Sequence, residues 1–272
     1  MCFLAGIGGH KKFKPTIDQA KQLTIFIYAH HKTLAMMRKF TNKRDIVRPG
    51  VTRFASAFLT LQSLNEKKEQ LRNMFCSNEW EECKFAGSDK GKLSRKLVTG
   101  ATFWGGVTTC LKVFTPLVKV LRMVDADWKP SMGFVYGEII KAKQEIIDAI
   151  GGNKTLVKDI TKIIDKKMHD RLDTKLHVTA YLLNPYYLYK DPQIPNDPDV
   201  MKAVLEFFDT ILGGDINMQK QILTIELPKY QKKADSFGRE LALTTCEVND
   251  ATYDPGNAFY LYLFIKKSYL NI

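Results

Sequence analysis

The chain has 272 residues, 45% of them hydrophobic and 26% charged, which excludes a disordered or fibrous protein and allows a substantial core in one large domain or two lobes. The formal charge is +12: residues 1–100 hold 19 basic and 8 acidic side chains, a net of +11, whereas residues 101–272 net +1. Such a concentration favours a polyanion such as nucleic acid, although an anionic membrane or a solvated lysine-rich face gives the same count.

The opening segment, residues 1–15, contains Gly6, Gly8 and Gly9 and reads as a flexible end. It has no basic region ahead of its short apolar run and matches neither a signal peptide nor a phosphate loop. From Thr16 to about Phe40, Ile17, Leu23, Phe26, Ile27, Leu34, Met37 and Phe40 recur at helical spacing, with Pro15 where a first turn tolerates it, predicting one or two helices. His30 and His31 fall inside this pattern, one able to face the core and the other solvent. The polar, basic stretch 41–50 ends in the breaker Pro49-Gly50.

Thr52 stands at an N-cap position, and Phe54, Phe58, Leu61, Leu64, Leu71 and Phe75 predict one long amphipathic helix with Glu66, Lys67, Lys68, Glu69 and Arg72 outside. A polar linker over 85–94 separates it from Ala101–Val124. That segment is dense enough in Phe103, Trp104, Val107, Leu111 and Phe114 for a buried helix, bent or broken at Pro116. Met132–Ile150 and Thr155–Arg171 continue the helical pattern, and a short apolar stretch Leu176–Leu183 closes at Asn184-Pro185. Asp197-Pro198 caps a helix over Val200–Leu212 that Gly213-Gly214 stops. Helices follow over Asp215–Tyr230, kinked at Pro228, and over Ala234–Leu243. The tail from 244 to 272, with Tyr253, Phe259, Tyr260, Tyr262 and Phe264, is strand-like or irregular. No run of about twenty apolar residues occurs, so no membrane-spanning segment is predicted.

No catalytic constellation emerges. The five cysteines are odd in number and lack C-x-x-C spacing, so they read as reduced core residues, neither disulfide framework nor zinc site. Asp125 and Asp127 stand two apart near a helix end, but hard cations need more oxygen ligands than that segment supplies. Asp170 and Arg171 read as surface charges or an inter-helix ion pair. The residues therefore predict no metal, no cofactor and no small-molecule substrate.

Five strings in order resemble the plant-type branch of hAT-superfamily transposases. They are Ile25-Phe26-Ile27-Tyr28 with Met37-Arg38-Lys39-Phe40-Thr41; Ile46-Val47-Arg48-Pro49-Gly50-Val51-Thr52-Arg53-Phe54-Ala55; Leu71-Arg72-Asn73-Met74-Phe75; Pro116-Leu117-Val118 with Val120-Leu121-Arg122-Met123-Val124-Asp125; and Leu176-His177 with Ala180-Tyr181-Leu182-Leu183-Asn184-Pro185. The resemblance implies a mainly α fold, an array like the helical insertion of a ribonuclease-H-like transposase with little or no intact sheet, over residues 16–243. It also implies a nuclear location. In that family three acidic residues hold the metals that activate water or a 3′ hydroxyl against phosphodiesters. The pattern puts two of them upstream and one downstream of the matched region, so the chain is expected to be catalytically incomplete and not an enzyme. Two expectations follow: sequence-tolerant DNA binding through Arg38, Lys39, Lys43, Arg44, Arg48 and Arg53, or a protein-interaction module that meets related transposase-derived proteins without DNA.

Overall fold

The computed structural model describes residues 2–48, 50, 54–125, 132–240 and 243–244, and these are mainly helical with no strand among them. The chain divides into two units, 1–119 with 143–164 and 120–142 with 165–272.

The first unit opens with α1 (Cys2–Gly8). This corrects the expected flexible end, since Leu4 is 3% exposed and Ile7 and Phe13 are fully buried. Two helical glycines cost about 1 kcal/mol each, and burial of each large apolar side chain returns about 1.5–3 kcal/mol, so burial prevails.

Pro15 lies in the first turn of α2 (Lys14–Ala29), which α3 (His31–Phe40) follows directly. His30 does not lie in either helix, contrary to expectation: its backbone is extended, φ −130° and ψ 127°, and its ring stacks 3.9 Å from that of Phe85. Thr33 secures the break, its hydroxyl 2.7 Å from Ile27 O and 2.9 Å from His30 O. His31 is exposed.

The single long helix expected next is two, α4 (Phe54–Glu66) and α5 (Lys68–Phe75). Thr52, the expected cap, lies outside the described residues. The ladder breaks at Lys67, which is only 6% exposed and not on the solvent stripe; its Nζ donates to Ser63 Oγ at 3.0 Å. Glu69 and Arg72 do pair on the outer face, 3.5 Å apart. Two further helices follow, α6 (Asn78–Glu81) and α7 (Asp89–Thr99), the second beginning within the expected linker. Ser77 and Ser88 cap them, accepting from Trp80 N and Gly91 N at 3.2 and 3.1 Å, a satisfaction of orphan amides that side-chain oxygens at this position supply. Trp80 is fully buried.

The next helix, α8 (Ala101–Val124), runs on through Pro116 instead of ending there. It is followed by α9 (Met132–Ile150) and α10 (Lys154–Met168), and all three contribute residues to both units. Within the first unit α2 packs on α3, α4 and α7, and α5 on α3 and α7, around Leu23, Ile27, Met37, Leu71, Phe75 and Phe114.

In the second unit, α11 (Lys175–Leu182) packs on α13 (Pro198–Ile211), with α12 (Pro185–Leu188) between them in sequence. Asn184 caps α12 by accepting from Tyr186 N at 3.0 Å, and Asp197 caps α13 ahead of Pro198, as expected. Gly213 and Gly214 take φ of 58° and 81°, the left-handed conformation that ends a helix at little cost for glycine. α14 (Ile216–Gln221) then passes through one π-helical stretch, Ile222–Glu226, into α15 (Leu227–Gln231). Pro228 sits in the first turn of α15, where its missing N–H is tolerated by the wider π ladder preceding it. Of the helix expected over 234–243, Asp235–Gly238 form a 3-10 turn, while Glu240 and Leu243 are helical, Leu243 N donating to Arg239 O at 3.0 Å. The core here is Val178, Leu182, Leu188, Val204, Phe208 and Leu227, edged by tyrosines. The strand-like tail beyond 244 lies outside the described residues.

Candidate nucleic-acid interface

The end of α3 and the connection after it carry five of the six expected phosphate contacts, Arg38, Lys39, Lys43, Arg44 and Arg48, all exposed. Arg53 lies outside the described residues. The chain leaves α3 through two successive left-handed residues, Asn42 at φ 53° and Lys43 at φ 61°, a conformation that costs a non-glycine residue roughly 1–2 kcal/mol. Hydrogen bonds hold it: Lys43 N donates to Arg38 O at 2.7 Å, and Thr41 Oγ1 donates to Arg44 O at 2.8 Å. A basic tip of fixed backbone results.

Two of the five are ion-paired within the protein. Arg38 grips Asp45 with two parallel bonds, Nε and Nη2 to the carboxylate oxygens at 2.8 and 2.9 Å. Hydrogen bonding from Arg38 pulls the Asp45 carboxyl below its usual 3.8 and raises the guanidinium. Lys39 Nζ lies 2.6 Å from Glu79. Sequence spacing did not reveal that second pair, because its partners are 40 positions apart. Lys43, Arg44 and Arg48 have no ion-pair partner among the described residues. Arg44 Nε lies 3.4 Å from Thr41 O, and the Arg48 guanidinium carbon sits 5.4 Å from the centre of the Tyr28 ring, a cation–π distance.

Tyr28 is the group that the charge pattern missed. Its hydroxyl donates to Ile46 O at 2.8 Å and accepts from Ile46 N at 3.0 Å, so the ring is clamped to the basic connection. Burial, then the Asp45 carboxylate, raises its hydroxyl pKa above the usual 10.0. Beside it lies a cavity of about 370 Å³ bounded by Lys21, Thr24, Ile25, Tyr28, Arg48 and Gly50. A signal for it existed: Lys21, Thr24, Ile25 and Tyr28 share one helical stripe, and Ile25, 52% exposed, is apolar yet off the core face.

The chain matches no protein-family model, no curated protein and no solved structure.

The remaining sites of interest do not assemble. Asp127 lies outside the described residues and Asp125 is exposed, and among the described residues no group of three or more His, Cys, Asp or Glu side chains is placed to hold a metal. Cys83 and Cys110 are buried thiols, and burial pushes Cys110 up to about 12; Cys76 is exposed, against the expectation of core cysteines. Asp170 takes a left-handed φ of 59° and lies 3.4 Å from His169, an exposed local contact. No helix among the described residues is long and apolar enough to cross a membrane.

Proposed function

We propose that the chain binds nucleic acid in a sequence-tolerant way through the basic end of α3 and the connection that follows it. The observation that carries this reading is the set of three exposed cations, Lys43, Arg44 and Arg48, in no ion pair among the described residues, on a backbone pinned by its own hydrogen bonds. Cations presented this way neutralise phosphates and release counterions, which supplies affinity without reading bases. The resemblance to plant-type hAT transposases supports the same reading, that of a catalytically incomplete, transposase-derived protein of the nucleus whose helical array resembles a transposase insertion domain.

Retention of duplex DNA by the purified chain, titrated against salt, tests it. Three cations outside any ion pair predict a slope of log K against log salt near −2.7, from about −0.9 per phosphate contact. Absence of retention of both duplex and single-stranded DNA at low salt overturns it.

A second reading is a protein-interaction module for related transposase-derived proteins. It is favoured by apolar side chains left in solvent in the second unit, Ile211 at 41%, Ile216 at 76% and Ile225 at 47% exposure. Capture of a relative that survives charge reversal at Arg48 would select this reading.

A further inference from the structure

We infer that the cavity beside Tyr28 takes one unstacked nucleotide of a single strand, and that single-stranded nucleic acid, not duplex, is the preferred ligand. The inference rests on the nucleic-acid reading above and names its ligand.

The volume of about 370 Å³ falls within the range of small-molecule sites, about 300–1,000 Å³, and is concave where a duplex is convex. One wall is the α2 stripe of Thr24, Ile25 and Tyr28, mostly apolar; the Thr24 hydroxyl is already committed to Ala20 O at 2.8 Å. The rest of the lining includes the connection at Arg48 and Gly50, and the Gly50 N–H is taken by Ser56 Oγ at 2.9 Å. Apart from its two cations, the lining therefore offers few free hydrogen-bonding groups. It offers instead an apolar face, a planar guanidinium held against an aromatic ring, and two cations at its border, Lys21 and Arg48, neither ion-paired among the described residues.

An unstacked base presents what matches that lining: a flat surface for Ile25 and the Arg48 plane, with a phosphate for Lys21 and Arg48. Bases stack on aromatic and arginine planes without sequence preference. A base inside a duplex has both faces covered and cannot enter. Clamping of the Tyr28 hydroxyl by both polar groups of Ile46 fixes the wall before ligand arrives, so little ordering is required on binding. The strand's neighbouring phosphates then meet Lys43 and Arg44, continuous in sequence with the cavity wall.

Fluorescence anisotropy on the full chain distinguishes the outcomes. The probes are a labelled oligodeoxyuridylate, an oligouridylate of equal length and a duplex of equal length, with uridine monophosphate as competitor. Ala29 also lines the cavity. Ala29→Phe fills it without altering charge, and Lys21→Ala removes one cation from an exposed position. Both strands are expected to bind tighter than the duplex, and the tighter of the two identifies the sugar. Ala29→Phe is expected to weaken strand binding about tenfold, the loss of one stacked base, with duplex binding unchanged. Lys21→Ala weakens the strand by a similar factor. The inference is overturned if duplex is preferred, if both variants bind strands as the parent does, or if the mononucleotide competes as well as the strand at equal nucleotide concentration. Failure of every probe at low salt removes the broader nucleic-acid reading as well; equal binding of strand and duplex with no effect of Ala29→Phe removes the cavity alone.

Discussion

Arg38 binds Asp45 through two parallel hydrogen bonds of 2.8 and 2.9 Å across the left-handed turn at Asn42 and Lys43, so one of the cations expected to meet phosphate is already matched by a carboxylate. Bidentate geometry of this kind satisfies the planar fork of arginine and leaves it a weak competitor for a second anion. Asp45→Asn should free the guanidinium, strengthen retention of nucleic acid at low salt and steepen the salt slope by about 0.7–0.9. Arg38→Ala should leave the slope as it is. An unchanged slope in Asp45→Asn would show that Arg38 does not face the ligand. Because the Asp45 carboxyl titrates below 3.8, the pair's contribution is present above the unfolded value and is lost as pH falls through the lower, folded one. Carbon-detected NMR titration of Asp45 reads this directly.

Lys67 presents the opposite case, a cation removed from solvent. Its Nζ has Ser63 Oγ at 3.0 Å, and the same oxygen accepts from Val47 N at 3.2 Å, so one hydroxyl ties α4, the start of α5 and the basic connection together. Ser63→Ala should destabilise the chain by about 2 kcal/mol, the cost of a buried polar group deprived of its partner. Adding Lys67→Met removes the stranded ammonium and keeps the stem volume, and should recover much of that loss. Urea denaturation of the two single variants and the double variant forms the cycle; additive losses would contradict the coupling.

Gly137 lies where α9 meets two tyrosines of the second unit. A Cβ at that position would stand 2.5 Å from Tyr187 Cζ and 2.8 Å from Tyr181 Cδ2, closer than real side chains approach. Helix propensity alone favours alanine there by about 1 kcal/mol. Overpacking costs about 1–3 kcal/mol, and with both rings held by neighbours it should prevail, so Gly137→Ala lowers the urea midpoint. A raised midpoint would mean that the rings yield.

The same tyrosines set an alkaline limit. Burial, followed by the Asp191 carboxylate, pushes Tyr181 up to about 12. Burial together with Glu138, which accepts the Tyr187 hydroxyl at 3.0 Å, drives Tyr187 higher still. A phenol whose folded pKa exceeds its unfolded value of 10.0 contributes stability that is complete below pH 10 and is lost as pH rises toward the folded value. Stability should therefore fall between pH 10 and 12. Tyr187→Phe should reduce the slope of that fall, which denaturant midpoints across the pH range measure. Early, gradual appearance of tyrosinate absorbance for all eleven tyrosines would contradict it.

Much of the fold was legible locally. Pro15 and Pro198 each lie in a first turn, Asp197 caps, Gly213 and Gly214 stop a helix, and Met132–Ile150 is helical over its predicted length. These depend on φ restriction, missing N–H groups and side-chain oxygens within a few residues, which act whatever the rest of the chain does. The errors arose where partners are distant. Leu4 and Ile7 looked like a loose end because their glycine-rich neighbours are poor helix formers, and only packing outweighs that. Lys67 fitted a charged outer stripe by periodicity, yet the break between α4 and α5 turns it inward to Ser63. The cap Ser88 lies in the stretch 85–94 whose polarity suggests a linker, and Ser77 lies just past the expected end of the long helix.

For the candidate site the division is sharper. Composition located the positive charge in the first hundred residues, and the sequence named six basic side chains close together within it. Charge content is additive and needs no fold. Which of those cations remain available was decided by the tertiary structure alone: Glu79, 40 positions from Lys39, neutralises it, and Ile46 clamps Tyr28 across 18 positions to shape a cavity wall. Pairing and concavity are properties of groups brought together through space, and a one-dimensional pattern contains neither until the helices have packed.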